Sequence, residues 1–162
     1  MRAYFAGGCF WCIAALISTI KGVEKVISGY SGGSKANPTY EDVKSQKTGH
    51  RESIEVIYDE TKTSYKEILE MFLNNIDPFD DEGQFIDRGF SYSPAIFYKD
   101  EIEKNEAINA IKNLEKEACK EVQVKIEEFK NFYAAEEFHQ DYHLKHPKEM
   151  EEEFIKSGRK KF

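Results

Sequence analysis

A chain of 162 residues, 40% of them hydrophobic, fits a single domain spanning residues 1–162 that buries a core of its own. Its net charge of −7 argues against a general phosphate-binding surface, and so against nucleic acid as a partner. Three cysteines, Cys9, Cys12 and Cys119, are too few for a disulfide framework and point to reactive sulfur in a reducing cytoplasm.

From Met1-Arg2 an apolar run reaches Ile20, which has the outline of a signal peptide. Gly7-Gly8 interrupts it, no small-residue cleavage site follows before Lys21, and the run falls short of the ~20 residues a membrane span needs. No membrane partner is expected. Ala3–Gly8 is instead predicted as a short strand closed by a glycine turn, and Phe10–Ile20 as a helix apolar almost all round and therefore buried. Val23–Tyr30 is a strand ended by the turn-rich stretch from Ser31 to Pro38. His50–Asp59 is a strand, and Ser64–Ile76 a helix with Ser64 and Glu67 forming a capping box. Asp77–Tyr92 shows no clear period and is predicted as a functional loop, given its aromatics.

Pro94–Tyr98 is a strand, Glu101–Ala118 a helix and Val122–Phe129 an alternating strand. Two short helices broken near His146-Pro147 follow, and the basic end Gly158–Phe162 is predicted as a solvated tail. This order is that of an α+β fold. Its core is a ferredoxin-like split βαβ with a mixed sheet, extended by C-terminal helical and loop additions.

Gly7-Gly8-Cys9-Phe10-Trp11-Cys12 is the most informative segment. Two glycines permit a sharp turn, and Cys9 then heads a helix whose free N–H groups and dipole favour a thiolate. The expectation is a depressed thiol pKa. A buried hydrophobic Cys beside core aromatics is the bland alternative, but turn, helix start and aromatics together favour a nucleophile. Cys-x-x-Cys also fits a thioredoxin-like dithiol or half of a zinc site, and no second pair of ligands has zinc spacing. His139 and His143, four apart, lack a third ligand, so no metal is expected. Strand alternation puts Glu52 on one face with Ile54, Val56 and Tyr58, leaving Arg51, Ser53, Glu55 and Asp59 on the polar face. A desolvated carboxyl there is a general acid in waiting; a carboxylate reaching water at the strand end is the alternative.

Gly8-Cys9-Phe10-Trp11 resembles the active-site signature of the A-type peptide methionine sulfoxide reductases. The likeness runs on through Gly29–Gly33, Pro38–Val43, Thr48–Glu52, Ser93–Tyr98 and Ala135–Gln140, in order along nearly the whole chain. The resemblance implies reduction of the S epimer of methionine sulfoxide, free or in proteins, through a Cys9 sulfenic acid. It implies Glu52 as general acid, Tyr40 and Tyr92 as donors to the sulfoxide oxygen, Asp87 as an organiser of that pocket, and Phe10 and Trp11 as walls for the S-methyl group. No bound cofactor is implied, only an external thiol reductant: thioredoxin, glutaredoxin or a small thiol.

The sequence departs from common members at Cys12 and Ala14, where many carry Gly and an acidic residue, and in lacking a Gly-rich tail with resolving cysteines. Regeneration thus has three routes open: Cys12, Cys119 or an external thiol. A Cys-x-x-Cys thiol–disulfide oxidoreductase is the alternative function, and a redox-sensing module a non-enzymatic one.

Overall fold

The computed structural model describes residues 1–159. β1 (Arg2–Ala6) runs into α1 (Phe10–Ile17), and β2 (Val23–Ser31) into a short α2 (Tyr40–Lys44). β3 (Arg51–Tyr58) is followed by α3 (Tyr65–Asn74) and by the tiny hairpin β4 (Gly83–Gln84) and β5 (Asp87–Arg88). β6 (Ala95–Tyr98), α4 (Glu101–Ala118), β7 (Lys125–Glu128) and β8 (Phe132–Ala134) come next, then α5 (Tyr142–Lys145) and α6 (Pro147–Ser157). No helix among the described residues is long and apolar enough to cross a membrane.

Six strands form one sheet in the order β7-β6-β1-β3-β2-β8. β3 lies between β1 and β2, antiparallel to both, and β6 lies antiparallel to β1 on its other side. That is the predicted split βαβ plan. β7 adds to one edge in parallel with β6, and β8 adds to the other edge antiparallel to β2, which makes the sheet mixed.

Local sequence explains the helix limits. The Ser64 hydroxyl accepts from Glu67 N at 3.2 Å and the Glu67 carboxylate accepts from Ser64 N at 2.9 Å, so the predicted capping box starts α3. α1 stops three residues short of the predicted Ile20, because the Ser18 and Thr19 hydroxyls take the Ala15 and Leu16 carbonyls at 2.8 and 2.7 Å. Within Asp77–Tyr92, expected as loop, the β4–β5 hairpin and a 3-10 turn at Phe90–Tyr92 give order.

One sheet face packs on α1 and α3 through Phe5, Ile13, Ile54, Ile68 and Phe72, with the Phe5 and Phe72 rings stacked at 4.9 Å. The opposite face was expected to be polar and is covered instead. Phe129 stacks on Tyr4 at 4.0 Å and Phe132 closes on the same ring. Arg51, Ser53 and Glu55 are consequently buried on this side. They stay satisfied: Glu55 accepts from the Tyr4 hydroxyl at 2.7 Å, and Arg51 reaches Ser93 at 2.8 Å and Glu127 at 3.0 Å.

Candidate active site

β1 ends at Ala6, and Gly7 and Gly8 carry the chain across to α1. Gly8 has a φ of 85°, and a Cβ there would lie 2.6 Å from Gln84 Cβ, so both conformation and space demand glycine. The turn delivers Cys9 as N-cap of α1. Facing it, β3 presents Glu52 across from Tyr30, and the Glu52 carboxylate accepts from Phe10 N at 3.1 Å. Glu52 is 4% exposed. Burial pushes its pKa up to about 8, against the opposing pull of the Phe10 N–H, so the group is mostly protonated at neutral pH.

Tyr40, the first residue of α2, follows the N-cap Thr39, and Glu136 accepts from its backbone N–H at 3.0 Å. Its hydroxyl shares a hydrogen bond with that of Tyr92, from the 3-10 turn, and burial first of all raises both phenols above their ordinary value. Both remain donors. Asp87 enters from β5, and burial raises its carboxyl too.

Cys9, Phe10, Trp11, Tyr40, Glu52, Asp87 and Tyr92 line one cavity of about 90 Å³, together with Glu153 of α6. These seven residues, each singled out in the sequence, come from separate parts of the chain and meet in one place. The apolar wall is braced from behind. Trp11 stacks on Tyr142 at 3.8 Å and donates its indole N–H to His139 Nδ1 at 3.2 Å. His139 Nε2 lies 3.3 Å from Glu136, which also accepts from the Tyr30 hydroxyl. The described residues contain no group of three or more His, Cys, Asp or Glu arranged to hold a metal.

The thiols depart from expectation. Cys9 was expected to ionise easily at the helix start. Hydrogen bonding with the Cys12 thiol, burial, and the nearby Glu52 carboxyl instead push its pKa well above the ordinary thiol value. Cys12 is lowered, first by the hydrogen bond from Cys9 and also by Arg159. Both are free thiols, packed with Ala15, Leu16, Met150 and Phe154. Cys119, one of the three routes left open for regeneration, is exposed at the end of α4 with its thiol 3.7 Å from the Lys116 carbonyl, and it does not line the cavity.

Residues 1–162 match the peptide methionine sulfoxide reductase family. The chain belongs to that family. It is 45% identical to peptide methionine sulfoxide reductase MsrA 2 of Staphylococcus aureus strain Mu50, over 99% of this chain and 92% of that one. Methionine sulfoxide reductase A of Corynebacterium diphtheriae has the same fold at 26% identity and a TM-score of 0.81, covering 90% of this chain and 74% of that one. Reduced Mxr1 of Saccharomyces cerevisiae shares the fold with a TM-score of 0.86 at 24% identity, over 91% of this chain and 86% of the other. The protein is thus an oxidoreductase that reduces methionine sulfoxide.

Two features of this reductase escaped the sequence, one cavity-lining residue and one buried residue near the C-terminus. Glu153 sits in an acidic run with no pattern to single it out. Arg159 belongs to the stretch expected to be solvated, yet it is 7% exposed and holds the Gly7 carbonyl at 3.2 Å across 152 positions of chain. Lys160, Lys161 and Phe162, the rest of that expected tail, lie outside the described residues.

Proposed function

We propose that this reductase acts on the S epimer of methionine sulfoxide with Cys9 as nucleophile and Glu52 as general acid. The observation that carries the reading is a carboxyl buried in the wall of the cavity that Cys9 also lines, where burial pushes its pKa up to about 8. The sulfoxide oxygen sits against Glu52 and the Tyr40 and Tyr92 hydroxyls, in the site organised by Asp87, and its S-methyl group against Phe10 and Trp11.

Glu52 gives its proton to the oxygen, which makes the substrate sulfur electrophilic. Cys9 attacks that sulfur and releases its own proton to the same oxygen, which departs as water. Water then attacks Cys9 sulfur, freeing methionine, leaving a sulfenic acid and returning a proton to Glu52. Cys12 resolves the sulfenic acid as a Cys9–Cys12 disulfide, and a thioredoxin-like dithiol reduces it in a reducing cytoplasm; yeast Mxr1 has been solved in complex with Trx2.

The test is methionine release from reduced enzyme mixed with separated sulfoxide epimers and no reductant. One methionine per enzyme is expected from the S epimer alone, since a fixed methyl site and a fixed oxygen site accept one arrangement about sulfur. Cys9→Ser releases none, and Glu52→Gln slows the step by ~10²–10⁴-fold. Equal rates for both epimers, or release by Cys9→Ser, contradict the assignment. Reduction of insulin disulfides without sulfoxide turnover would favour the thiol–disulfide oxidoreductase reading.

A further inference from the structure

β3 sends alternate side chains to opposite faces of the sheet, so Arg51 and Glu52 leave the strand on opposite sides. Glu52 lines the cavity, while Arg51 is buried against the other face. A guanidinium buried that far is costly unless charge and hydrogen-bond partners meet it there. Its Nη2 lies 3.0 Å from Glu127 Oε1 of β7, which supplies the charge. Its Nε donates to the Ser93 hydroxyl at 2.8 Å, and the guanidinium lies over the Phe90 ring, 4.5 Å from the ring centre.

Those last two contacts fall on either side of Tyr92. Phe90–Tyr92 is the 3-10 turn, and Ser93 follows it directly. The Ser93 hydroxyl donates in its turn to the Phe90 carbonyl at 2.7 Å. Arg51, Ser93 and Phe90 thus close a loop of contacts spanning Tyr92, the residue that lines the cavity with Cys9 and Glu52. Ser91, in the middle of the turn, is held separately. Gln46, just past α2, accepts from Ser91 N at 2.9 Å and donates to its hydroxyl at 2.8 Å. The turn therefore keeps one anchor when Arg51 is changed.

We propose that Arg51 is a positioning residue that acts through Tyr92, holding the turn so that the phenol stays on the sulfoxide oxygen beside Glu52. The inference rests on the reading of Tyr92 as a donor to that oxygen. Two successive residues of one strand thereby set the acid from one face of the sheet and the neighbouring phenol from the other. A strand holds such geometry more tightly than a short turn does by itself. A misplacement of about 1 Å can cost ~10²-fold in rate, so a loosened turn shows in the chemistry before it shows in the fold.

The experiment is a mutant cycle read by the single-turnover rate of methionine release at pH 7. Tyr40→Phe serves as the parent, which leaves Tyr92 the only phenol lining the cavity. Arg51→Lys keeps a charge for Glu127 but lacks the flat fork that meets Ser93 and Phe90 together. In this parent Arg51→Lys should slow release by about tenfold to a hundredfold. With Tyr92→Phe added to the parent, it should change the rate by less than about twofold, because the two residues act as one unit. Thermal unfolding and a full yield of one methionine per enzyme show which variants are folded. Should Arg51→Lys fail to fold, Ser93→Ala breaks the same contact more mildly and carries the same cycle. An equal loss with and without the Tyr92 hydroxyl, or no loss from the folded variant, overturns the inference. If Tyr92→Phe leaves the rate of the Tyr40→Phe parent unchanged, the donor reading itself fails and the positioning role falls with it.

Discussion

A sulfoxide oxygen leaves as water after receiving two protons, and the proposed mechanism draws them from Cys9 and Glu52. Cys9 is kept as a thiol by burial and its neighbours, and Glu52 is kept as an acid by burial. Iodoacetamide should accordingly label Cys9 at pH 7 more slowly than an ordinary free thiol, as peptide mass spectrometry can measure; faster labelling would show that the helix terminus outweighs burial. Glu52 was legible in the sequence because a carboxyl in step with Ile54 and Val56 faces the core. The state of the Cys9 thiol was not, for a local reason. A helix start argues for a thiolate, but the Cys12 thiol, the Glu52 carboxyl and full burial act against one, and only folding brings them all to bear.

Elements whose signals are local are legible in the sequence. Glu101–Ala118 has the limits expected of it, with Asp100 accepting from Glu103 N at 2.9 Å, and α3 starts at its capping box. β8 and α2 are not, because their cues are weak or distant. Three residues at Phe132–Ala134 carry no alternation, and their pairing with β2 depends on Gly29, where a Cβ would lie 2.5 Å from the Tyr133 carbonyl. The junction between β1 and α1 is the element-level feature on which the site depends. Gly8→Ala forces a side chain into a left-handed backbone and against Gln84, at a cost of about 1–2 kcal/mol from the backbone alone. The melting temperature should fall by ~2–8 °C in a protein of this size, with a marked loss of turnover as Cys9 shifts. Wild-type stability and turnover in this variant would show that the turn is not under that constraint.

Across the whole molecule, a ferredoxin-like core sets Cys9, just past β1, beside Glu52 on the neighbouring β3, and chain beyond the core finishes the pocket. The β4–β5 hairpin brings Asp87, and α6 brings Glu153. The core order was legible; the closure by α6 was not, since contacts such as Arg159 to Gly7 leave no trace in a linear pattern. Keeping Glu52 buried has a stability consequence. Its folded pKa of about 8 stands above the ordinary value of 4.5, so folding takes up a proton between those limits. The wild type is therefore least penalised below pH 4.5 and loses stability as pH rises toward 8, by about 1.4 kcal/mol for each pH unit in between. Glu52→Gln should be more stable than wild type by a few kcal/mol at pH 8, with the difference shrinking to little near pH 4. Denaturant titrations at the two pH values measure it, and a pH-independent difference would mean that Glu52 is charged in the folded state.

Acid catalysis by Glu52 meets its sharpest test in the pH dependence of the single-turnover rate of methionine formation at low sulfoxide concentration. With both protons supplied by neutral Cys9 and neutral Glu52, the wild-type rate is level at pH 6–7 and falls as pH rises through about 8, where Glu52 ionises. Glu52→Gln is slower by ~10²–10⁴-fold and shows no fall near pH 8. A wild-type rate that climbs through pH 8, matched within a few-fold by Glu52→Gln, would mean that a free thiolate does the work and that Glu52 is not the acid.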